Sequence, residues 1–150
     1  MNALKILNIL HKALLMGQIL FAAGCFYIVY TKAMLPPAKE LDRILQVAAL
    51  IITIAGIYAG MTIFKKKLVL IKEMQTGNKE KFSLYRSASI VQWALLEGPS
   101  IFCTISFFLT GNYAFLALVA GIIFLFVLMA PSKVKIITQL QISESELNDL

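Results

Sequence analysis

The sequence predicts an all-α membrane protein: a bundle of four transmembrane helices with N- and C-termini cytoplasmic and a short amphipathic helix at each end. Three observations predict it. First, the 150 residues are 59% hydrophobic and only 15% charged, with mean hydropathy +0.81, whereas a soluble domain is roughly a quarter charged. Second, four apolar runs, at about 13–31, 44–64, 87–109 and 113–130, each approach the roughly 20 residues that a helix needs to cross a bilayer. Backbone groups in lipid have no water to bond, so helices are the natural solution. Third, the basic residues follow topology. With both ends inside, the inner segments hold Lys5, Lys12, Lys65, Lys66, Lys67, Lys72, Lys79, Lys81, Arg86, Lys133 and Lys135, and the outer ones only Lys32, Lys39 and Arg43. Eleven against three is a strong orientation signal. It also accounts for the net charge of +6 without nucleic acid, as a collar facing anionic lipid. Little chain remains for a soluble domain, so residues 1–150 read as one membrane domain, expected in the bacterial inner (cytoplasmic) membrane.

Taken in order, residues 1–12 place Lys5, Asn8, His11 and Lys12 among apolar residues at helical spacing, which suits an interfacial helix leading into the first span. His11 is a lone surface histidine on this reading, since no second His or Cys stands at metal-ligand spacing. Cys25 and Cys103, both inside spans, read as small hydrophobes. Pro36-Pro37 breaks the chain outside the membrane, and Pro37 suits the first turn of the second helix. Along that helix Ala49, Thr53, Gly56 and Gly60 repeat at four, three and four residues. Such a stripe of small side chains lets another helix approach closely, within the chain or across an oligomer interface.

The cytoplasmic hairpin, 65–86, turns at Thr76-Gly77-Asn78, so the second and third helices project past the membrane around it. Thr110-Gly111-Asn112 is so short a link that the third and fourth helices must be antiparallel neighbours, and Ala114, Ala117 and Gly121 give the fourth a small face. Pro131 ends that span. The cytoplasmic tail, 132–150, repeats apolar residues at Val134, Ile137 and Leu140 as an amphipathic helix, and Ser143 with Glu146 forms a capping box. Its last turn carries Glu144, Glu146 and Asp149, which are placed to dock on the Lys collar.

One residue carries chemistry. Glu97 lies about eleven residues from Arg86 and about twelve from Leu109, at the midplane of the third span. A charge at that depth costs at least about 2.5 kcal/mol, which makes an intramembrane acid a functional-site hypothesis by default. No Lys or Arg stands at that depth. Desolvation therefore favours the neutral carboxyl, held by hydrogen bonds from candidate ion-binding partners: Ser100 and Thr104, three and seven residues on, and Thr53 at matching depth. Pro99 lacks an N–H and clashes with the Leu95 carbonyl, so a helix kink is expected beside the acid. A carboxyl that ionises only when wetted, or when a cation arrives, suits proton or monovalent cation carriage. A protonated Glu97 serving only as a hydrogen-bonding link between helices suits the same residues.

Ala94-Leu95-Leu96-Glu97-Gly98-Pro99-Ser100-Ile101-Phe102 resembles the carboxylate helix of the rotor-ring proteolipids of F-type and V-type ATPases. A small-residue helix, a polar cytoplasmic hairpin and Arg86 eleven residues before the acid extend the resemblance over about residues 45–110. It implies that Glu97 is the ion-carrying carboxylate, and Gly98, where sodium-type members have Ser or Thr, favours a proton. Gly98-Pro99 and the acid's place in the third helix depart from the family pattern.

The expected partners are the lipid bilayer and a homo-oligomer or larger membrane complex, with no nucleic acid and no cofactor. An enzyme is not expected: there is one His, no metal-ligand cluster, no acid pair in the membrane and no base placed to activate the serines near Glu97. A structural or accessory subunit, docked through its small-residue stripes, is the competing reading.

Overall fold

The computed structural model describes residues 3–143. It is all-helical: α1 Ala3–Tyr30, a 3-10 turn at Lys39–Leu41, α2 Asp42–Glu73, α3 Asn78–Thr110, α4 Ala114–Leu128 and α5 Lys133–Leu140. Three helices are long and apolar enough to cross a membrane, or four if α4 and α5, bent by 69°, form one span. This is the pattern of a multi-pass membrane protein. The capping box at Ser143 and Glu146 and the acids Glu144, Glu146 and Asp149 reach outside the described residues.

α3 is the centre of the fold, packed against α2, α4 and α1. Its buried side chains run the whole length of the helix, from Phe82 through Trp93 and Leu96 to Phe107. α2 pairs with it along the small-residue stripe, where Ala49, Thr53 and Gly60 are buried. Gly56 sits so close that a β-carbon there would lie 2.6 Å from the Leu95 carbonyl oxygen and 2.6 Å from Pro99 Cγ. α3 runs unbroken from Asn78 to Thr110 with Pro99 inside it. The carbonyl that Pro99 deprives of its donor therefore faces the bare Gly56 backbone. The matching face of α4 goes elsewhere: Ala114, Ala117 and Gly121 are exposed, and a β-carbon at Gly121 would meet nothing within 4 Å.

α1 is one continuous helix from Ala3, with Leu7 and His11 extending its buried stripe. Three local expectations are corrected. α2 starts at Asp42, after a 3-10 turn, not at Pro37: the Ala38 N–H is held by the Leu109 carbonyl at 3.0 Å, which ties the link to the end of α3. α4 stops at Leu128 with 15 residues, a rise of about 22 Å, short of the roughly 30 Å hydrocarbon core. Beyond it Lys135 reaches back, its Nζ donating to the Leu128 and Ala130 carbonyls at 2.7 and 3.1 Å. In α5 the buried face is Ile136 and Leu140, while Val134 is 74% exposed. Tyr85 sets that phase: its hydroxyl donates to Gln139 Oε1 at 2.8 Å and draws α5 down on the hairpin.

The opposite end of the bundle is tied by Asp42. Its carboxylate accepts from Asn112 Nδ2 at 3.0 and 2.9 Å and from Gln46 Nε2 at 3.0 Å. The Asn112 side-chain amide oxygen, Oδ1, in turn accepts the Ala114 N–H at 2.9 Å, and Gly111 turns the chain at φ 71. Asp42→Ala should lower stability by about 1.5 kcal/mol, the low end for hydrogen bonds to a charged group because the site is half-buried. Thermal unfolding in detergent micelles measures it, and an unchanged midpoint would remove Asp42 as a tie.

Candidate functional site

Position 97 is set by the register of α3. Leu96, one residue before it, is buried, and Gly98, one residue after, looks into open space. Glu97 between them is half-buried on the flank that faces α1. There it borders an open cavity of about 330 Å³ with Ile101 from α3 and Gly17, Gln18 and Phe21 from α1. Among the described residues the Glu97 carboxyl makes no hydrogen bond and no ion pair.

The candidate ion-binding set divides between two faces. Thr53 and Cys103 share a hydrogen bond, Oγ1 to Sγ, at 3.7 Å on the seam between α2 and α3. Thr104 turns its hydroxyl back on its own helix, donating to the Ser100 carbonyl at 2.9 Å, as hydroxyl side chains in apolar helices commonly do. Ser100 itself is buried. No hydrogen bond joins any of these three side chains to Glu97. Pro99, the candidate kink residue, is buried against Gly56. Cys25 and Cys103 are free thiols, both buried.

The residue that the structure adds to the site is Gln18. It is 3% exposed, and among the described residues neither its amide nitrogen nor its amide oxygen has a hydrogen-bond partner. A buried amide left unpaired costs about 1–3 kcal/mol, so its placement beside an unpaired carboxyl, on the wall of one cavity, needs a reason. Hydropathy passes over Gln18 because one amide scarcely lowers the mean of an apolar run. Its spacing is the signal that finds it: His11, Gln18 and Cys25 recur every seven residues and are all buried, on one face of α1.

His11 corrects the surface reading. It is 2% exposed, stacked on Phe126 at 4.7 Å and edge-on to Trp93 at 4.8 Å. Its Nε2 lies 3.0 Å from the Phe126 carbonyl oxygen. A carbonyl only accepts, so this bond places the ring proton on Nε2. The histidine locks α1 to the end of α4 and is not among the groups that border the Glu97 cavity.

The cavity beside Glu97 provides one titratable oxygen pair and room for several waters, at about 30 Å³ each, while the Gln18 amide atoms are sealed behind its wall. It can hold a proton or a partly hydrated cation. It provides no nucleophile and no second acid. Comparison of the chain with models of protein families, with characterised proteins and with solved structures finds no match.

Proposed function

We propose that this multi-pass membrane protein uses Glu97 to take up a proton or a monovalent cation near the bilayer midplane, within an oligomer, with the Lys-rich hairpin and both termini on the cytoplasmic side. The observation that carries the reading is two unsatisfied side chains on the wall of one cavity: the Glu97 carboxyl, without a hydrogen-bond or ion-pair partner among the described residues, and the Gln18 amide, sealed from solvent and likewise without one. An apolar helix pair that needed only packing would place hydrocarbon at both positions, since an intramembrane acid is costly to keep. Phe21 and Ile101, which border the cavity, are exposed on the side of the bundle, where a neighbouring subunit would complete the wall.

Carbodiimide labelling in native membranes, mapped by mass spectrometry, tests it, because the reagent attacks a protonated carboxyl in an apolar setting. Glu97 should be the labelled acid, its labelling should fade as rising pH ionises the carboxyl, and protection by sodium would identify a cation in place of a proton. Absence of label at Glu97 while the exposed acids react would overturn the reading.

A second reading rests on the exposed small face of α4, Ala114, Ala117 and Gly121, which suits close approach by another helix. Here the chain is an accessory subunit of a larger complex, and a protonated Glu97 hydrogen-bonds a partner. Glu97→Gln separates the two, since it keeps hydrogen bonding and removes titration. Loss of pH-dependent behaviour with intact assembly supports ion uptake. A silent Gln, together with lost assembly in Glu97→Leu, supports the accessory role.

A further inference from the structure

A second cavity, of about 200 Å³, lies along the N-terminal half of α3, between Tyr85 and Trp93, beneath the elbow between α4 and α5. It differs from the Glu97 cavity in its chemistry. Gln92 borders it; this side chain is 8% exposed, has no hydrogen-bond partner among the described residues, and is not among the polar groups sealed from solvent. Its amide therefore reaches the cavity with both donors and its acceptor unused. Gln139 joins it with a free amide N–H₂, because the Tyr85 bond uses only its oxygen. Trp93 adds an indole N–H without a hydrogen-bond partner among the described residues. Lys135 supplies the charge, its ammonium holding two carbonyls and keeping a third N–H.

The balance is donor-rich and cationic. Among the described residues no Asp or Glu borders the cavity, so a cation entering it would meet the Lys135 charge there. An anion with several acceptor oxygens matches every unused donor. The mouth is apolar: Met61 and Leu128, both on the cavity wall, are 41% and 55% exposed, and Val127 and Phe124 continue an exposed apolar strip along α4. A polar floor with an apolar approach fits an amphiphile that enters head first. The Lys65, Lys66 and Lys67 run begins on α2 next to the cavity residue Phe64 and would raise the local concentration of anionic lipid.

We propose that this cavity binds the phosphate headgroup of an anionic phospholipid, drawn from the leaflet on the Lys-rich side, with Gln92, Gln139 and Lys135 on the phosphate oxygens and an acyl chain along the exposed side of α4. The site stands apart from Glu97 and does not depend on ion uptake there.

Trp93 is the chain's one tryptophan and sits on the cavity wall, so its fluorescence reports occupancy. The purified full chain in a neutral detergent would be titrated with short-chain phosphatidylglycerol, with phosphatidylcholine of equal chain length, and with glycerol phosphate. Phosphatidylglycerol should give a saturable change with a midpoint at least tenfold below that of phosphatidylcholine. Gln92→Glu, which places a negative charge on the floor, should raise that midpoint at least tenfold. Equal midpoints for the two lipids in the unmodified chain would overturn the proposal, whether or not the variant folds. An unmoved midpoint in a folded Gln92→Glu would also overturn it. Glycerol phosphate acting at the same concentration as phosphatidylglycerol would replace the lipid by a soluble phosphate ester and overturn the assignment to a bilayer source.

Discussion

Gly56→Ala should destabilise the bundle by about 2–3 kcal/mol, the upper part of the range for overpacking a close contact. The added β-carbon would lie 2.6 Å from the Leu95 carbonyl oxygen and 2.6 Å from Pro99 Cγ. Neither can yield: one is backbone inside a helix, and the other belongs to a ring fused to that backbone. α2 and α3 would have to separate, and in lipid their association rests on close packing with little hydrophobic drive to restore it. Gly60→Ala is the graded comparison. Its β-carbon would meet Leu96 Cδ1 at 3.2 Å and the Gln92 carbonyl oxygen at 3.4 Å, a squeeze that a leucine can relieve. The gain in helix propensity from Gly to Ala, about 0.8–1 kcal/mol, should leave that variant close to neutral. Gly98→Ala, with nothing within 4 Å, should be neutral or stabilising although it adjoins Glu97. Thermal unfolding of the three variants in one detergent orders them. A Gly56→Ala midpoint equal to that of Gly98→Ala would mean that the helices are not in contact at Gly56.

That contact shows what the sequence does and does not carry. The spacing of Ala49, Thr53, Gly56 and Gly60 marks a close-approach face on α2, because small side chains at helical repeat have few other uses in lipid. It does not say which helix answers. The answer depends on Pro99, which supplies a carbonyl without its usual donor and a flat ring, and which by itself predicts a kink. Placed together, the two features explain each other. The small residues of α4, Ala114, Ala117 and Gly121, stay exposed, and a β-carbon at Gly121 would meet nothing within 4 Å, so a similar local signal has two outcomes.

The long helices were legible because a bilayer leaves the backbone few alternatives, whereas their ends were not, being decided by single contacts. The fourth apolar run continues to Ala130, yet α4 stops at Leu128 and Lys135 closes its carbonyls. In α5 the apolar repeat Val134, Ile137, Leu140 shares only Leu140 with the buried pair Ile136 and Leu140, because the bond from Tyr85, fifty-four residues away, fixes the rotation of the helix. At the candidate site, Glu97 stood out as the one acid in the spans. Its neighbour Gln18 lies on another helix, and polar residues at matching depth, such as Thr53, were an equally good guess by sequence. Only packing decides that Thr53 meets Cys103 and that Gln18 shares the Glu97 cavity.

Trp93→Ala should have the largest effect of any single truncation, about 3–5 kcal/mol. Trp93 is among the largest fully buried side chains and the point where three helices meet. It stands on α3, His11 of α1 lies edge-on to it at 4.8 Å, and Phe126 of α4 is 6.3 Å away. Removing the indole deletes both ring contacts and enlarges the polar cavity on its other side, where water can enter next to a core otherwise built of Leu7, Phe115 and Phe126. His11→Phe should cost far less, about 1 kcal/mol, the value of one hydrogen bond. The ring stays, and the Phe126 carbonyl keeps the Met129 N–H at 3.1 Å, so nothing is left unpaired. The two residues touch, so their effects should not add: once the indole is gone, the cost of His11→Phe should change by at least about 0.5 kcal/mol. Unfolding midpoints of the two single variants and the double variant, in the same micelles, give that coupling. Strict additivity would mean that α1 docks through its apolar residues alone and that His11 is only a tether to α4.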